Sequence, residues 1–161
     1  MVESADTFPK ILLKNAKQYG HNRIAIREKD YGIWQSYSWQ DYHDHVRDFA
    51  LGLASLGFKR GDKLAIIGDN RPQLYWGMAA AQSLGGVPVA LYQDAIEREL
   101  EFILEHSEAR FALAEDQEQS DKLLSLKQKI PNIEYIIYND PKGMRKYTEP
   151  FLKAFDDVQD L

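Results

Sequence analysis

The 161-residue chain has the length of one domain and is long enough to bury a hydrophobic core without covalent staples. Its formal net charge of −5 argues against nucleic-acid binding, because that function requires a basic face. The sequence contains no cysteine, which excludes disulfides, thiolate metal sites and cysteine nucleophiles.

The first 40 residues predict a helix followed by a β-hairpin. Residues 9–19 have helical periodicity, with Thr7 as the N-terminal cap and Gly20 as the stop. Residues 23–27 and 33–38 read as two strands joined by a turn, which predicts an antiparallel hairpin. The apolar side chains that share one face of the helix are Phe8, Leu12, Ala16 and Tyr19.

A second helix is predicted directly after the hairpin. Ser38 and Asp41 have the spacing of a capping box, with aspartate in place of the usual glutamate, and Gly57 ends the helix. His43 and His45 resemble a metal pair only on paper, because residues two apart on a helix point away from each other. We expect both histidines to be solvated. The predicted apolar stripe of this helix is Trp39, Tyr42, Val46, Phe49, Ala50 and Leu53.

Two short apolar runs flank a helical segment in the middle of the chain. The runs 64–67 and 87–91 predict strands, and Pro72 suits the first turn of the helix between them because its missing N–H has no partner there. Gly85 and Gly86 close the helix, since glycine enters the left-handed region at little cost. This unit predicts two parallel strands joined by a right-handed crossover.

Two further helix–strand units follow with the same pattern. Asp94 with Glu97, and Asp116 with Gln119, have the spacing of residues that cap helices. The helices should end before strands at 110–114 and 133–138, and Pro131 is expected to end the second. The apolar face predicted for the first of these helices is Ile96, Leu100, Ile103 and Leu104.

The alternation of helices and apolar strands predicts an α/β fold: a mostly parallel sheet with helices on both faces, preceded by a helix and a β-hairpin. We expect the core α/β region to span about 7–138. Residues 139–161 are expected to be an arm that leads toward a larger body. The apolar residues of this arm, which should fold back over the sheet or pack on a second copy, are Phe151, Leu152, Phe155 and Val158.

Three motifs in order resemble the N-terminal region of the adenylate-forming (AMP-binding) enzymes. Residues 37–42 (Tyr-Ser-Trp-Gln-Asp-Tyr) are similar to the first core motif of that family. Residues 61–72, from Gly-Asp-Lys to Asn-Arg-Pro, resemble its second strand and helix entry, and 83–92, ending at Tyr92, resemble the next motif. The pairing of Asn-Arg-Pro with Gly-Gly-Val-Pro is most like long-chain fatty-acyl-CoA synthetases. The resemblance covers about 7–138.

The resemblance implies a parent enzyme that is an ATP-dependent fatty acid–CoA ligase. Such an enzyme forms acyl-AMP and pyrophosphate from a fatty acid and ATP, with Mg²⁺ accompanying ATP, and then transfers the acyl group to CoA. The chain corresponds to the first quarter to third of that enzyme. Its ten glycines form no phosphate-binding loop, and no metal, cofactor-binding or catalytic residue of the family maps onto it. We therefore expect the isolated chain to be inactive.

Three residues are expected near the substrate path of the parent enzyme: Asn70, Arg71 and Tyr92. Asn70 and Arg71 follow a strand and precede a helix, and ligands gather at the carboxyl ends of parallel strands. The alternative is structural: Asn70 caps the helix and Arg71 pairs on the surface. Tryptophans and tyrosines, including Trp34, Trp39 and Trp76, are likewise interpreted as core residues before walls of an acyl tunnel.

Two alternatives to a ligase remain open for the chain. The first is a non-catalytic α/β binding or interaction module that retains this portion of the fold. The second and weaker one is an unrelated doubly wound domain. Residues 1–6 lack the features of a signal peptide, and no apolar run approaches the roughly 20 residues of a membrane span, so a cytoplasmic protein is expected. Self-association and peripheral membrane contact stay open, although no basic amphipathic face is evident in the sequence.

Overall fold

The computed structural model describes residues 6–161, and residues 1–5 of the polar stretch considered above lie outside it. Within residues 6–161, no helix has both the length and the apolar composition that crossing a bilayer requires. The helices are α1 Phe8–Tyr19, α2 Trp39–Ser55, α3 Pro72–Ser83, α4 Glu97–Ser107, α5 Gln117–Leu126 and α6 Phe155–Gln159. The strands are β1 Ile24–Asp30, β2 Ile33–Ser38, β3 Lys63–Ile67, β4 Val87–Leu91, β5 Phe111–Ala114, β6 Tyr135–Tyr138 and β7 Leu152–Ala154.

The predicted hairpin and the cap of α2 are both confirmed. Strands β1 and β2 pair antiparallel, and the turn is shorter than predicted, consisting of Tyr31 and Gly32 with positive φ angles of 45° and 81°. Ser38 Oγ accepts a hydrogen bond from the Asp41 N–H at 3.1 Å, while Asp41 Oδ2 accepts from the Ser38 N–H at 2.8 Å. This reciprocal pair satisfies two backbone donors where the hairpin turns into the helix.

Among the described residues, the remaining five strands form one parallel sheet in the order β4-β3-β5-β6-β7. Strand β3 pairs with β4 and with β5, so the crossover predicted through the Pro72 helix joins neighbouring parallel strands. Gly85 closes α3 with a φ of 75°, whereas Gly86 is required by space, because a Cβ there would lie 2.5 Å from Phe58 Cε1. The fold class read from the sequence is therefore confirmed.

Side chains of the central strands alternate between two separate cores. Leu64 and Ile66 of β3 pack under α2 and α3, while Ala65 and Ile67 pack under α4 and α5. Strand β5 repeats the pattern, with Phe111 facing the first core. The sheet side chains toward α4 and α5 include three alanines, Ala65, Ala112 and Ala114. Small residues on that face leave room for the leucines of the two helices, which fill this core.

The C-terminal segment completes both the sheet and one of the cores. Strand β7 pairs parallel with β6, and α6 packs against α2, where Phe155 stacks on Phe49 with ring centroids 4.2 Å apart. Phe155 and Val158 are fully buried. Gly52 permits this contact, because a Cβ at that position would lie 1.8 Å from the Val158 carbonyl oxygen. The prediction that this segment folds back over the sheet is confirmed.

Three details of the predicted helices are wrong. Helix α4 is not capped by Asp94 with Glu97: the chain is still extended at Ile96, whose N–H donates to Glu99 at 3.2 Å. Ile96 consequently lies before the helix and is exposed, outside the predicted apolar face. Phe8, in the first turn of α1, is exposed as well. Helix α5 ends at Leu126, before the proline, because a turn follows directly.

Leu100 tests the second core. Leu100→Ala should lower the free energy of unfolding by about 2–5 kcal/mol, because the side chain is fully buried and its removal leaves a cavity. Phe102→Ala, on the solvent side of the same helix, should cost less than about 1 kcal/mol. Denaturant midpoints measure both changes, and equal losses would mean that the faces of α4 are assigned wrongly.

Asp41 makes the α2 cap dependent on pH. Hydrogen bonds from the Ser38 hydroxyl, and secondly from its N–H, lower the pKa of Asp41 in the folded chain. Stability from this carboxylate is therefore present above the unfolded-state pKa of about 3.9 and disappears as pH falls through the lower folded-state pKa. Asp41→Asn should cost about 0.5–1 kcal/mol at pH 7, limited by solvent screening, and almost nothing near pH 2. Urea melts across this range measure the difference, and parallel curves would contradict it.

Candidate functional site

The connections of the sheet create a crevice between β3 and β5. From β3 the chain crosses through α3 to β4 on one side, and α4 then carries it back past β3 to β5. The loop after β3 leads to α3 on one face of the sheet and the loop after β5 leads to α5 on the other face, so the two loops diverge. In open parallel sheets, ligands bind at the carboxyl ends of the strands where the order reverses in this way. The crevice is therefore the candidate site.

An ion pair joins the two loops at this point. Arg71, at the start of α3, donates from Nε to Glu115 Oε1 at 2.7 Å, and Glu115 directly follows β5. The other oxygen of Glu115 accepts from the Asp69 N–H. A Cβ at Gly68, whose φ is 148°, would lie 2.4 Å from Glu115 Cβ, so glycine permits the close approach. Glu115 thus holds the β3–α3 loop against the end of β5.

The hairpin supplies a second acid to the same arginine. Glu28 of β1 lies 3.7 Å from Arg71 Nη1, and its side chain is mostly buried. The hydrogen bond to Glu115, which has the larger effect, and the charges of Glu28 and Asp30 raise the pKa of Arg71. The guanidinium is therefore already neutralised by groups of the chain itself. Arg71 is therefore not an unpaired cation that could bind an incoming phosphate.

A recess of about 220 Å³ opens over this ion pair. The loop after β6 and the first turn of α6 form its far wall, and the hairpin forms its near wall. The charged residues that line it are Glu28, Asp30, Arg71, Glu115, Asp140 and Asp156. Five carboxylates against one guanidinium make the recess acidic, so it disfavours the triphosphate of a nucleotide. Within residues 6–161, no group of three or more His, Asp or Glu side chains is arranged to hold a metal ion.

The structure separates the three predicted substrate-proximal residues. Arg71 lines the acidic recess, whereas Asn70 lines a smaller pocket of about 160 Å³ on the other side of the loop and accepts a hydrogen bond from the Tyr75 hydroxyl at 2.9 Å. Arg71, not Asn70, is the N-cap residue of α3. Tyr92 follows β4 with 70% of its surface exposed, and a hydrogen bond with Asp94 raises its pKa. All three lie at the carboxyl edge, without converging on one cavity.

The aromatic residues of the first core behave as structural residues. Trp76 is only 2% exposed and stacks face to face on His45, with ring centroids 3.8 Å apart. His45 also contacts the Gln159 amide of α6, so the prediction that it is solvated is wrong. His43 lies beside Asp44 on the same helix. Trp34 is exposed on the hairpin and contributes to neither core.

Sequence reasoning did not identify Glu115 or Glu28 as part of the site. Glu115 had a usable signal, because it directly follows an apolar strand and carboxyl-end residues of parallel strands share one edge. The partnership with the hairpin carried no such signal. Glu28 reaches Arg71 only because the hairpin packs beside α3, a contact between segments more than 40 residues apart.

A sheet of this order with its crevice at the carboxyl edge defines a doubly wound α/β domain. The family model of the AMP-binding enzymes matches residues 12–159, so the chain belongs to that family. A long-chain-fatty-acid–CoA ligase, ACSBG2, of Xenopus laevis is 25% identical over 159 residues, which are 96% of this chain and 21% of that protein. The 4-hydroxybutyrate–CoA ligase 2 of Metallosphaera sedula is 29% identical over 133 residues, covering 83% of this chain and 23% of that protein.

A solved structure shows the same fold. The coronafacic acid ligase of Pectobacterium brasiliense superposes with a TM-score of 0.83 at 18% identity, covering 95% of this chain and 29% of that one. The chain thus spans about a fifth of the length of the curated relatives and less than a third of this structural neighbour.

The ion pair of Glu115 with Arg71 predicts unequal effects when one or the other residue is substituted. Glu115→Gln should lower the free energy of unfolding by about 1–3 kcal/mol, because a mostly buried charged acceptor loses its match to Arg71. Arg71→Ala should cost about 1 kcal/mol or less, since its side chain is 42% exposed. The double mutant should cost less than the sum. Arg47→Ala is the control, because it removes an exposed ion pair with Asp44 on α2. Strictly additive losses in the double mutant would mean that Glu115 and Arg71 do not stabilise each other.

Proposed function

We propose that this chain forms the N-terminal part of an ATP-dependent fatty acid–CoA ligase. The observation that supports this most is the family match across residues 12–159, together with the resemblance to a long-chain-fatty-acid–CoA ligase over nearly the whole chain. The proposed substrates of the whole protein are a fatty acid, ATP and CoA, with Mg²⁺ accompanying ATP. The protein would form an acyl adenylate and then the CoA thioester.

The proposed role of residues 6–161 within that ligase is structural. Their candidate site is acidic and its one arginine is paired, so these residues by themselves do not fit a triphosphate or its metal ion. In this proposal the core region, about 7–138, builds part of a larger domain together with β7 and α6, and residues 139–161 lead from the core toward the remainder. Phosphate contacts and catalytic groups would come from that remainder.

The proposed acid substrate is a long-chain fatty acid. One relative acts on such acids according to its name, whereas another acts on 4-hydroxybutyrate, so the family match alone leaves the acid open. The proposed substrate-proximal residues remain Asn70, Arg71 and Tyr92, which face the carboxyl edge of the sheet. A cytoplasmic location is proposed with the ligase function.

The first test is the activity of the isolated chain. Residues 1–161 should show no fatty-acid-dependent exchange of labelled pyrophosphate into ATP, because the acidic recess and its paired arginine disfavour a triphosphate. A complete fatty acid–CoA ligase assayed at equal concentration is the positive control. Exchange above that of a heat-inactivated sample would overturn the structural role.

The second experiment separates the ligase from the interaction module. An antibody raised against residues 6–161 should detect, in the source organism, a protein about five times longer than this chain, as the share of the curated relatives predicts. That protein, purified, should make oleoyl-CoA from oleate, ATP and CoA. A native protein of about 161 residues without activity would instead support a non-catalytic module.

A further inference from the structure

Helix α1 carries an outward cationic stripe that its amino-acid pattern explains. Lys10, Lys14 and Lys17 are spaced four and three residues apart, which places them on one side of the helix, and all are exposed. Leu12 and Ala16 are buried on the opposite side. The helix contains no acidic residue at all. The sequence had suggested no basic amphipathic face, and the structure corrects that expectation.

An almost wholly apolar groove of about 330 Å³ runs along this helix, between α1 and α2. Leu12, Val46 and Ala50 form its floor, and Leu13 and Leu51 form its walls. Leu51 leaves 59% of its surface exposed at the mouth of the groove. Lys10 and Arg47 lie at the rim of this groove, hereafter the α1–α2 groove.

Some of the cationic side chains around the groove form ion pairs and others do not. Lys10 pairs with Asp6 at 2.9 Å, and Arg47 pairs with Asp44 and Asp48. Neither Lys14 nor Lys17 pairs with an acid among residues 6–161, so no ion pair offsets the charge of these two exposed lysines.

The position of this surface in the fold gives the molecule a direction. Ser83, which lines the groove, ends α3 beside the amino end of β4, whereas the five carboxylates of the recess lie at the carboxyl edge of the sheet. Among residues 6–161, α1 is the one α-helix with a net positive charge, and its first turn lies at the edge away from the acidic recess. An anionic surface would attract this helix and repel the recess, which orients the approach.

We propose that the α1–α2 groove and the lysine stripe of α1 dock on an anionic phospholipid membrane. The lysines would lie at the headgroups, and the exposed leucines beside them would enter the boundary with the acyl chains. Charge favours this occupant over a second copy of the chain, because a symmetric dimer through this surface would bring two lysine stripes together. The proposal does not rest on the ligase function.

Vesicle co-sedimentation tests the docking surface with residues 1–161. The chain should bind vesicles of phosphatidylcholine with 30% phosphatidylserine and should bind pure phosphatidylcholine much more weakly. The double substitution Lys14→Glu with Lys17→Glu should lower the partition coefficient about 30-fold or more, at about 1 kcal/mol for each lysine lost. Leu51→Ser should lower it about tenfold, because the leucine side chain no longer inserts.

Lys142→Glu with Lys146→Glu is the matched control, since these exposed lysines follow β6 on the opposite edge and give the same change in net charge. This variant should bind as the unaltered chain does. Equal losses in both charge variants, equal binding to both kinds of vesicle, or no binding would overturn the proposal. So would a dimer in sedimentation velocity without lipid that Leu51→Ser abolishes, because the groove would then hold a second copy. Circular dichroism confirms that each variant is folded.

Discussion

The burial of β3 and β5 on both faces is the constraint from which the rest of the structure follows. Each strand directs alternate side chains into two separate cores, so both faces of the sheet must be covered by helices. The alternation also fixes register, because a shift by one residue would exchange the alanine face with the leucine and phenylalanine face. Helices α2, α3 and α6 meet the larger side chains, and α4 and α5 approach the alanines.

The same constraint places the candidate site. A parallel sheet covered on both faces gathers the loops that follow its strands at one end, and the strand order opens a crevice at this carboxyl edge between β3 and β5. Here the crevice is closed by Glu115 and Arg71, with Glu28 joining from the hairpin. The charges therefore satisfy each other across three segments of the chain. The ion pairs hold the loops after β3 and β5 and the hairpin together. This suits a structural role within a larger protein.

The sequence predicted the parts of this fold that depend on local patterns. The hairpin, the Ser38–Asp41 cap and the parallel pairing of β3 with β4 follow from periodicity, capping and glycine placement, and each is confirmed. The misassigned Ile96 shows where local patterns end, because its residue type suits a helix face but the backbone is still extended there. The partners of Arg71, by contrast, come from distant segments that the fold brings together at the carboxyl edge of the sheet. No local sequence pattern predicts this contact.

The open edge of β4 shows how the chain limits its own association. Val87 donates its N–H to Asp62 beside β3, so the alternation of a parallel ladder turns the next residue, Pro88, toward the unpaired side. Proline has no N–H to offer there, and it leaves the edge with a poor pattern for adding another strand. Main-chain pairing is thus discouraged at this edge, while side-chain surfaces remain accessible elsewhere. Binding at the α1–α2 groove would instead depend on the charge and apolar area of side chains. A lipid surface responds to these properties, whereas an added strand requires free main-chain hydrogen-bonding groups.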